Sequence, residues 1–308
     1  RHYRNDLAAP GLRKTGLDFQ MRNIGGGTAS FRGVISSLID LDGGGPIVGG
    51  RLGLHPLPAV EFGTTVVVDL DQLSSIPDSL STGRSRDAYG MAGIDVVYHL
   101  LNTGLTRLNL FGGVTRSLAG GSGFGLHGPG IGAAVGGLSG QLEYRWMDGR
   151  IRPGHFDALY ELNRALYDAA TDSIITRQAA LTDVRMQGLF GDVRLSLGPL
   201  FFGQASYQHL TGEGSRDRRL EGRIGLRKGL LDQLPRLSLA EAYYENRKRD
   251  AAESFFEPTS DTRFGYRLGI NPIPRLTIYS QVEFTYEPDD AGGYRRRRLL
   301  NLQSVIGL

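Results

Sequence analysis

Arg219-Leu220-Glu221-Gly222-Arg223-Ile224-Gly225-Leu226-Arg227 has a charge or a glycine at every odd position and an apolar residue or a glycine at every even one. Successive side chains of an extended strand point to opposite sides. The stretch therefore has an apolar face of Leu220, Ile224 and Leu226 and an ionic face of Arg219, Glu221, Arg223 and Arg227. The same period of two returns in Arg263-Phe264-Gly265-Tyr266-Arg267-Leu268-Gly269-Ile270 and again from Arg275 to Tyr286.

Working outward, the alternation picks out candidate strands near 16–23, 46–54, 59–70, 89–100, 105–115, 126–136, 140–148, 184–197, 200–210, 218–228, 236–246, 262–270, 275–287 and 294–308. Roughly ten-residue segments of this kind, about fourteen of them and separated by turn residues, are the signature of a closed antiparallel transmembrane β-barrel, an all-β fold. His55-Pro56-Leu57-Pro58, Leu101-Asn102-Thr103-Gly104, Gly136-Gly137-Leu138-Ser139, Leu197-Gly198-Pro199-Leu200 and Asn271-Pro272-Ile273-Pro274 read as tight turns. They fall at every second junction. Between them lie longer polar connections such as 71–86, 148–183, 211–217, 246–261 and 287–293. In outer-membrane barrels short turns are periplasmic and long loops extracellular, so both ends of the chain are expected on the periplasmic side.

Composition agrees with strands. No run approaches the eighteen or so apolar residues of a spanning helix, so any span is made of β-structure. The absence of cysteine removes disulfide, zinc-thiolate and thiol-nucleophile readings. A net charge of +3, with acidic and basic residues interspersed, gives no support to nucleic-acid binding. The dense run Arg295-Arg296-Arg297-Arg298 sits beside a predicted strand end, where basic residues meet anionic lipid head groups or are simply solvated. The opening Arg1-His2-Tyr3-Arg4 lacks the apolar stretch of a secretion signal, which points to a signal trimmed away, and is also compatible with an upstream domain. The expected organisation is a periplasmic segment over 1–15 and one barrel domain over 16–308.

A charge on the lipid side near the midplane costs about 2–4 kcal/mol, so the charged faces turn to the interior. Phe62, Val66, Ile94, Leu108, Leu110, Leu142, Leu195, Leu220, Ile224, Leu268, Ile278 and Val282 are thus expected to face lipid. Glu61, Asp69, Asp95, Arg107, Glu143, Arg145, Arg194, Arg219, Glu221, Arg223, Arg227, Arg263, Arg267 and Glu283 are expected to line the pore. Segment 236–246 fits badly, because Glu241 and Glu245 share parity with Leu237 and Leu239. A β-bulge would repair the phase. Two segments break the pattern: Phe31, Val34, Ile35, Leu38 and Ile39, and Phe156, Leu159, Tyr160, Leu166 and Tyr167, recur at helical spacing and read as loop helices. Their apolar stripes either cap or fold into the mouth as a constriction or pack the outer loops together.

Catalytic patterns are weak. The six histidines, His2, His55, His99, His127, His155 and His209, are scattered without a Ser-His-Asp arrangement. The expectation is a protein that is not an enzyme and uses no cofactor. Gly128-Pro129-Gly130-Ile131-Gly132-Ala133 matches a dinucleotide fingerprint in outline, but a proline interrupts it and no helix follows. Asp40 with Asp42, and Asp289 with Asp290, precede glycines without the spacing of a calcium loop. With strands 218–228 and 262–270 one strand apart, Arg219, Arg223, Arg227, Arg263 and Arg267 would form a basic ladder facing Glu61, Asp69, Glu143 and Glu283 across a bore. The alternative is that these charges pair and brace a closed interior.

The alternating strands, the rhythm of turns and loops, and a final strand alternating through Leu300, Leu302, Ile306 and Leu308 resemble Gram-negative outer-membrane β-barrel proteins of the porin and hydrophobic-substrate channel type. Leu308 departs from the aromatic last residue usual in that class. The resemblance implies residence in the bacterial outer membrane, contact with its lipids and lipopolysaccharide, and assembly by the outer-membrane insertion machinery. Two functions follow: a channel for small polar or anionic solutes, or a plugged barrel anchoring a larger assembly of envelope proteins. A soluble β-rich binding protein is a third, and it requires a second layer over the apolar face.

Overall fold

In a computed structural model the alternating segments form antiparallel strands. They are β1 (Leu17–Ile24), β2 (Ala29–Ile35), β3 (Ile47–Leu57), β4 (Val60–Asp69), β5 (Tyr89–Asn102), β6 (Thr106–Ser117), β7 (Gly123–Val135), β8 (Leu138–Gly149), β9 (Ala165–Asp168), β10 (Ser173–Thr176), β11 (Met186–Leu197), β12 (Phe201–Gly212), β13 (Ser215–Leu226), β14 (Leu237–Arg249), β15 (Arg263–Ile273), β16 (Leu276–Pro288) and β17 (Tyr294–Ile306). The structure describes residues 17–306 apart from 27, 36–45, 77, 82, 85–86, 119–121, 153, 157–159, 161–163, 169–170, 235, 250–255, 274–275 and 289–292. The expected segment 1–15, and with it His2, Leu38, Ile39, Asp40, Asp42, Leu159, Asp289, Asp290 and Leu308, lie outside the described residues.

Fifteen strands make one sheet whose order follows the chain, with β8 joined to β11, while β9 and β10 form a separate hairpin inside the 150–185 connection. Each strand of the large sheet is hydrogen-bonded to the next in this order, without any crossover. Among the described residues no ladder joins β1 to β17. The strand beyond the expected fourteen or so is β2. Phe31, Val34 and Ile35 fit a helical spacing, but short apolar runs do not discriminate between periods. Here β1 and β3 offer hydrogen bonds on both sides, and Phe31 packs its ring 5.6 Å from Phe19. With fifteen strands β1 begins at a long-loop end and β17 finishes at a tight-turn end; the chain ends beyond them, expected beside the tight turns, lie outside the described residues. Leu166 and Tyr167, also expected to be helical, lie in β9.

The chain divides into two compact units, Arg1–Leu100 with Asn109–Gly130 and Arg145–Met186, and Leu101–Leu108 with Ile131–Tyr144 and Gln187–Leu308. In the first, alternate residues of β4 and β5 are buried on one face, including Glu61, Thr65, Asp69, Met91 and Asp95, while Phe62, Val66, Ile94 and Val96 are exposed on the other. In β7 the exposed parity changes from Phe124 and Leu126 to Ile131 and Val135. Between them Gly128 has φ +105°, a conformation open to glycine. In the second unit Leu142, Leu195, Ile270, Leu300 and Leu302 are exposed, whereas Gln208, Asp217, Glu241 and Glu283 are buried. Burial is thus reversed relative to a water-soluble sheet: the polar face is enclosed and the apolar face is bare.

Ile224 is 66% exposed and Leu268 42%, as expected, but Val282 is only 4% exposed. Val282 shares its face with Tyr266 and Leu300, which flank it in register on β15 and β17 and cover its small side chain. The misfit of segment 236–246 is resolved by a register shift between Leu237 and Leu239. Leu237 pairs with exposed Ile270, while Glu241, of the same sequence parity, pairs with Arg267 on the ionic face. The connection expected at 211–217 is instead strand up to a turn at 213–214, since β12 and β13 pair through Gly212 and Ser215.

Candidate functional site

The ionic face carries the chemistry, and each unit builds its own cluster there. In the second unit the first link is Ser206 on β12, whose hydroxyl donates to Glu221 on β13 at 3.2 Å. Arg219 pairs with Glu221 and reaches Glu245 on β14 at 2.8 Å. Arg263 on β15 clasps the other oxygen of Glu245 at 2.6 and 2.5 Å and stands 3.9 Å from Glu283 on β16. Tyr243 and Gln281 donate to the same Glu283 oxygen at 2.5 and 3.1 Å. Two side links complete the array: Arg267 with Glu241, and Arg247 with Asp217 through hydrogen bonds of 2.9 and 2.5 Å.

The expected basic ladder is therefore an alternating one. β13 and β15 do stand one strand apart, but β14 between them supplies Glu245, which bridges Arg219 and Arg263 directly, and Glu241, which pairs with Arg267. Arg227 leaves the array: β13 ends at Leu226, and the Arg227 guanidinium donates to the Gly198 carbonyl at 2.6 Å. Arg223 shares the ladder's parity and is exposed, as is Arg107 near the tight end of β6. Arg194 pairs with Asp192 two residues earlier at 2.9 Å. Glu143 is buried and Arg145 half-buried on β8.

In the first unit Arg51 on β3 crosses β4 to reach Asp95 on β5, with paired hydrogen bonds of 2.5 and 2.7 Å, and also donates to Thr65 at 3.0 Å. Glu61 lies 3.8 Å from Arg51 and 3.5 Å from His55. This crossing needs Gly63. A Cβ there would stand 2.5 Å from the Asp95 carboxylate oxygen and 2.6 Å from the Arg51 guanidinium carbon. Nearby, His99 and Asn109 share a hydrogen bond of 2.7 Å.

Asp69, at the long-loop end of β4, receives the loop. The Tyr160 hydroxyl donates to one carboxylate oxygen at 2.8 Å, and Arg164 and the Asp71 backbone N–H donate to the other at 3.3 and 3.0 Å. Arg164 also donates to the Asp71 carbonyl at 3.2 Å, and both Arg164 and Asp69 are fully buried. Tyr89, His155, Phe156 and Tyr160 pack ring against ring around them. Burial, and then the charge of Asp69 and the hydrogen bond to it, push the Tyr160 hydroxyl well above the ordinary tyrosine range. Part of the 150–185 connection is therefore strapped to the ionic face of β4 and β5.

Sequence reading missed Arg51, Asp217, Glu241, Glu245, Arg247 and Arg164. The parity of Arg51 and Asp217 carried the signal for two of them, while Arg247 shares the bulge-shifted parity of Glu241 and Glu245. Glu241 and Glu245 were hidden by the bulge, and Arg164 lies in a connection with no period at all. Among the described residues no three His, Asp or Glu side chains converge as a metal site.

No protein-family model matches the chain, and no curated protein matches it. Among solved structures the outer membrane protease OmpT from Escherichia coli aligns over 91% of this chain and 84% of its own, at 9% identity and a TM-score of 0.20, too low to carry an argument. CdiB from Escherichia coli aligns over 93% of this chain at 10% identity and a TM-score of 0.51. The alignment covers 58% of CdiB, so this chain spans less than two thirds of that protein. At such identity the likeness is one of fold. In its fold the chain resembles the outer-membrane β-barrel proteins.

Proposed function

We propose that the chain is a closed transmembrane barrel of the bacterial outer membrane and that it passes small polar solutes along its ionic face, without a catalytic role. The tight turns then face the periplasm and the long loops the outside. The observation that supports this most is the reversal of burial. Leu142, Ile224 and Leu268 are bare while Glu61, Asp95 and Glu283 are enclosed, an arrangement stable where hydrocarbon is the outer solvent and water the inner one. The ladder charges neutralise one another in pairs, which leaves exposed Arg107 and Arg223 to set a weak preference for anions.

A second reading rests on the strap. If the connection held by Arg164 and Tyr160 blocks the mouth, the barrel is an anchor in a larger envelope assembly. Planar-bilayer recording separates the two. The channel reading expects steady ohmic steps whose reversal potential in a salt gradient moves toward cations on Arg223→Glu. A silent barrel that begins to conduct when Arg164→Ala releases the strap supports the blocked mouth, and silence in both proteins overturns the channel.

A further inference from the structure

Four consecutive arginines open β17, and the strand sorts them onto two faces. Arg295 and Arg297 share the parity of Glu283 and Glu287; Arg297 pairs with Glu287 at 2.6 Å, and Arg295 lies opposite Glu287 in register. Arg296 and Arg298 share instead the parity of Leu300 and Leu302, which are 60% and 67% exposed. Both arginines are themselves exposed. Their register partners on β16 are Tyr286 and Phe284, and Phe264 of β15 stacks on Phe284 with ring centroids 4.9 Å apart. The Arg296 guanidinium lies 5.1 Å from the centre of the Phe284 ring. Among the described residues of β15, β16 and β17 this face carries no acidic side chain.

Two cations on the apolar side of a spanning sheet are costly at the midplane and favourable at the level of head groups. A strand rises about 3.3 Å per residue, so Arg298 stands roughly 7 Å and Arg296 roughly 13 Å beyond Leu300, toward the long-loop side. The aromatic rings at that level are the side chains that settle at a membrane interface. We propose that Arg296 and Arg298 bind the phosphates of a phosphorylated glycolipid headgroup in the outer leaflet, with the guanidinium of Arg296 held in place by the Phe284 ring. Arginine suits this task because its planar fork donates two parallel hydrogen bonds to phosphate oxygens. The inference rests on the orientation and membrane residence proposed above.

The test uses the full chain folded into phosphatidylcholine vesicles containing either bisphosphorylated lipid A or its dephosphorylated form, with bound glycolipid counted after repurification. Insertion is checked independently by carbonate-resistant association with the vesicles and by a gel mobility that changes on heating. The expected result is retention of the bisphosphorylated lipid that falls about thirtyfold in R296Q/R298Q, roughly fivefold per arginine. R295Q/R297Q, altered on the other face, retains it. An inserted protein that holds both lipids equally, or loses binding equally in both double variants, overturns the proposal and leaves the barrel reading intact. Failure to insert removes that reading and the proposal together.

Discussion

Gly63 offers a sharp test because the sign of its effect separates two explanations. In an unobstructed strand, replacing glycine by alanine stabilises by about 0.5–1 kcal/mol, since glycine loses the most chain entropy on folding. At Gly63 the added methyl would sit 2.5 Å from the Asp95 carboxylate oxygen and 2.6 Å from the Arg51 guanidinium carbon. The paired hydrogen bonds of 2.5 and 2.7 Å that cross this position would have to part. Charged hydrogen bonds contribute about 1.5–3 kcal/mol each, and Arg51 retains Thr65 and Glu61 as partial substitutes, so Gly63→Ala should destabilise by about 2–4 kcal/mol net. The assay is urea unfolding from lipid vesicles, followed by Trp146, the one tryptophan in the sequence, and by mobility on unheated gels. In an Arg51→Ala, Asp95→Ala background both obstructing side-chain ends are gone, and the same alanine should be neutral or slightly stabilising. A Gly63→Ala protein at least as stable as the parent would refute the crossing bridge.

Replacing Glu245 by Gln removes the charge shared by Arg219 and Arg263 and turns one of its two acceptor oxygens into a donor facing a guanidinium, all three side chains being largely buried; a loss of about 3–5 kcal/mol in the same unfolding assay is expected. Leu268→Arg, in the middle of β15 on the bare face, should cost about 2–4 kcal/mol in vesicles, whereas Arg223→Leu on the opposite face should cost less than 1 kcal/mol. Equal costs would contradict the assignment of faces. Tyr160 gives a pH prediction. Its folded pKa is raised above the unfolded value near 10, so the neutral hydroxyl's contribution is fully present below about pH 10 and declines as pH rises beyond it. Trypsin cleavage within 150–185 should therefore accelerate above about pH 10 in the parent but not further in Tyr160→Phe.

Much of this was legible in the sequence, because parity is a local property. Ile224 and Leu268 on one side, with Arg219, Glu221 and Arg263 on the other, follow directly from a period of two. What parity cannot deliver is register. Glu245 became the bridge between two arginines because a bulge between Leu237 and Leu239 turned it over; the clash of parity in 236–246 called for a bulge but did not fix the partners it would create. Val282 obeyed its parity but is flanked in register by larger neighbours, Tyr266 on β15 and Leu300 on β17. β2 was misread because Phe31, Val34 and Ile35 fit a helical spacing over a run too short to discriminate, and the arbiter is a partner strand elsewhere in the chain. Arg164 was invisible because its partner, Asp69, belongs to a distant strand.

The ladder also bears on how the protein comes together. Its links from Ser206 to Glu283 join strands that follow one another along the chain: Arg219 and Glu245 are 26 residues apart, Arg263 and Glu245 only 18. Arg164 must instead find a carboxylate laid down 95 residues earlier. Closing a short loop is entropically easier than closing a long one. The carboxy-terminal hairpins therefore zip with their charges already neutralised, whereas the strap engages only after β4 and β5 have been assembled to receive it.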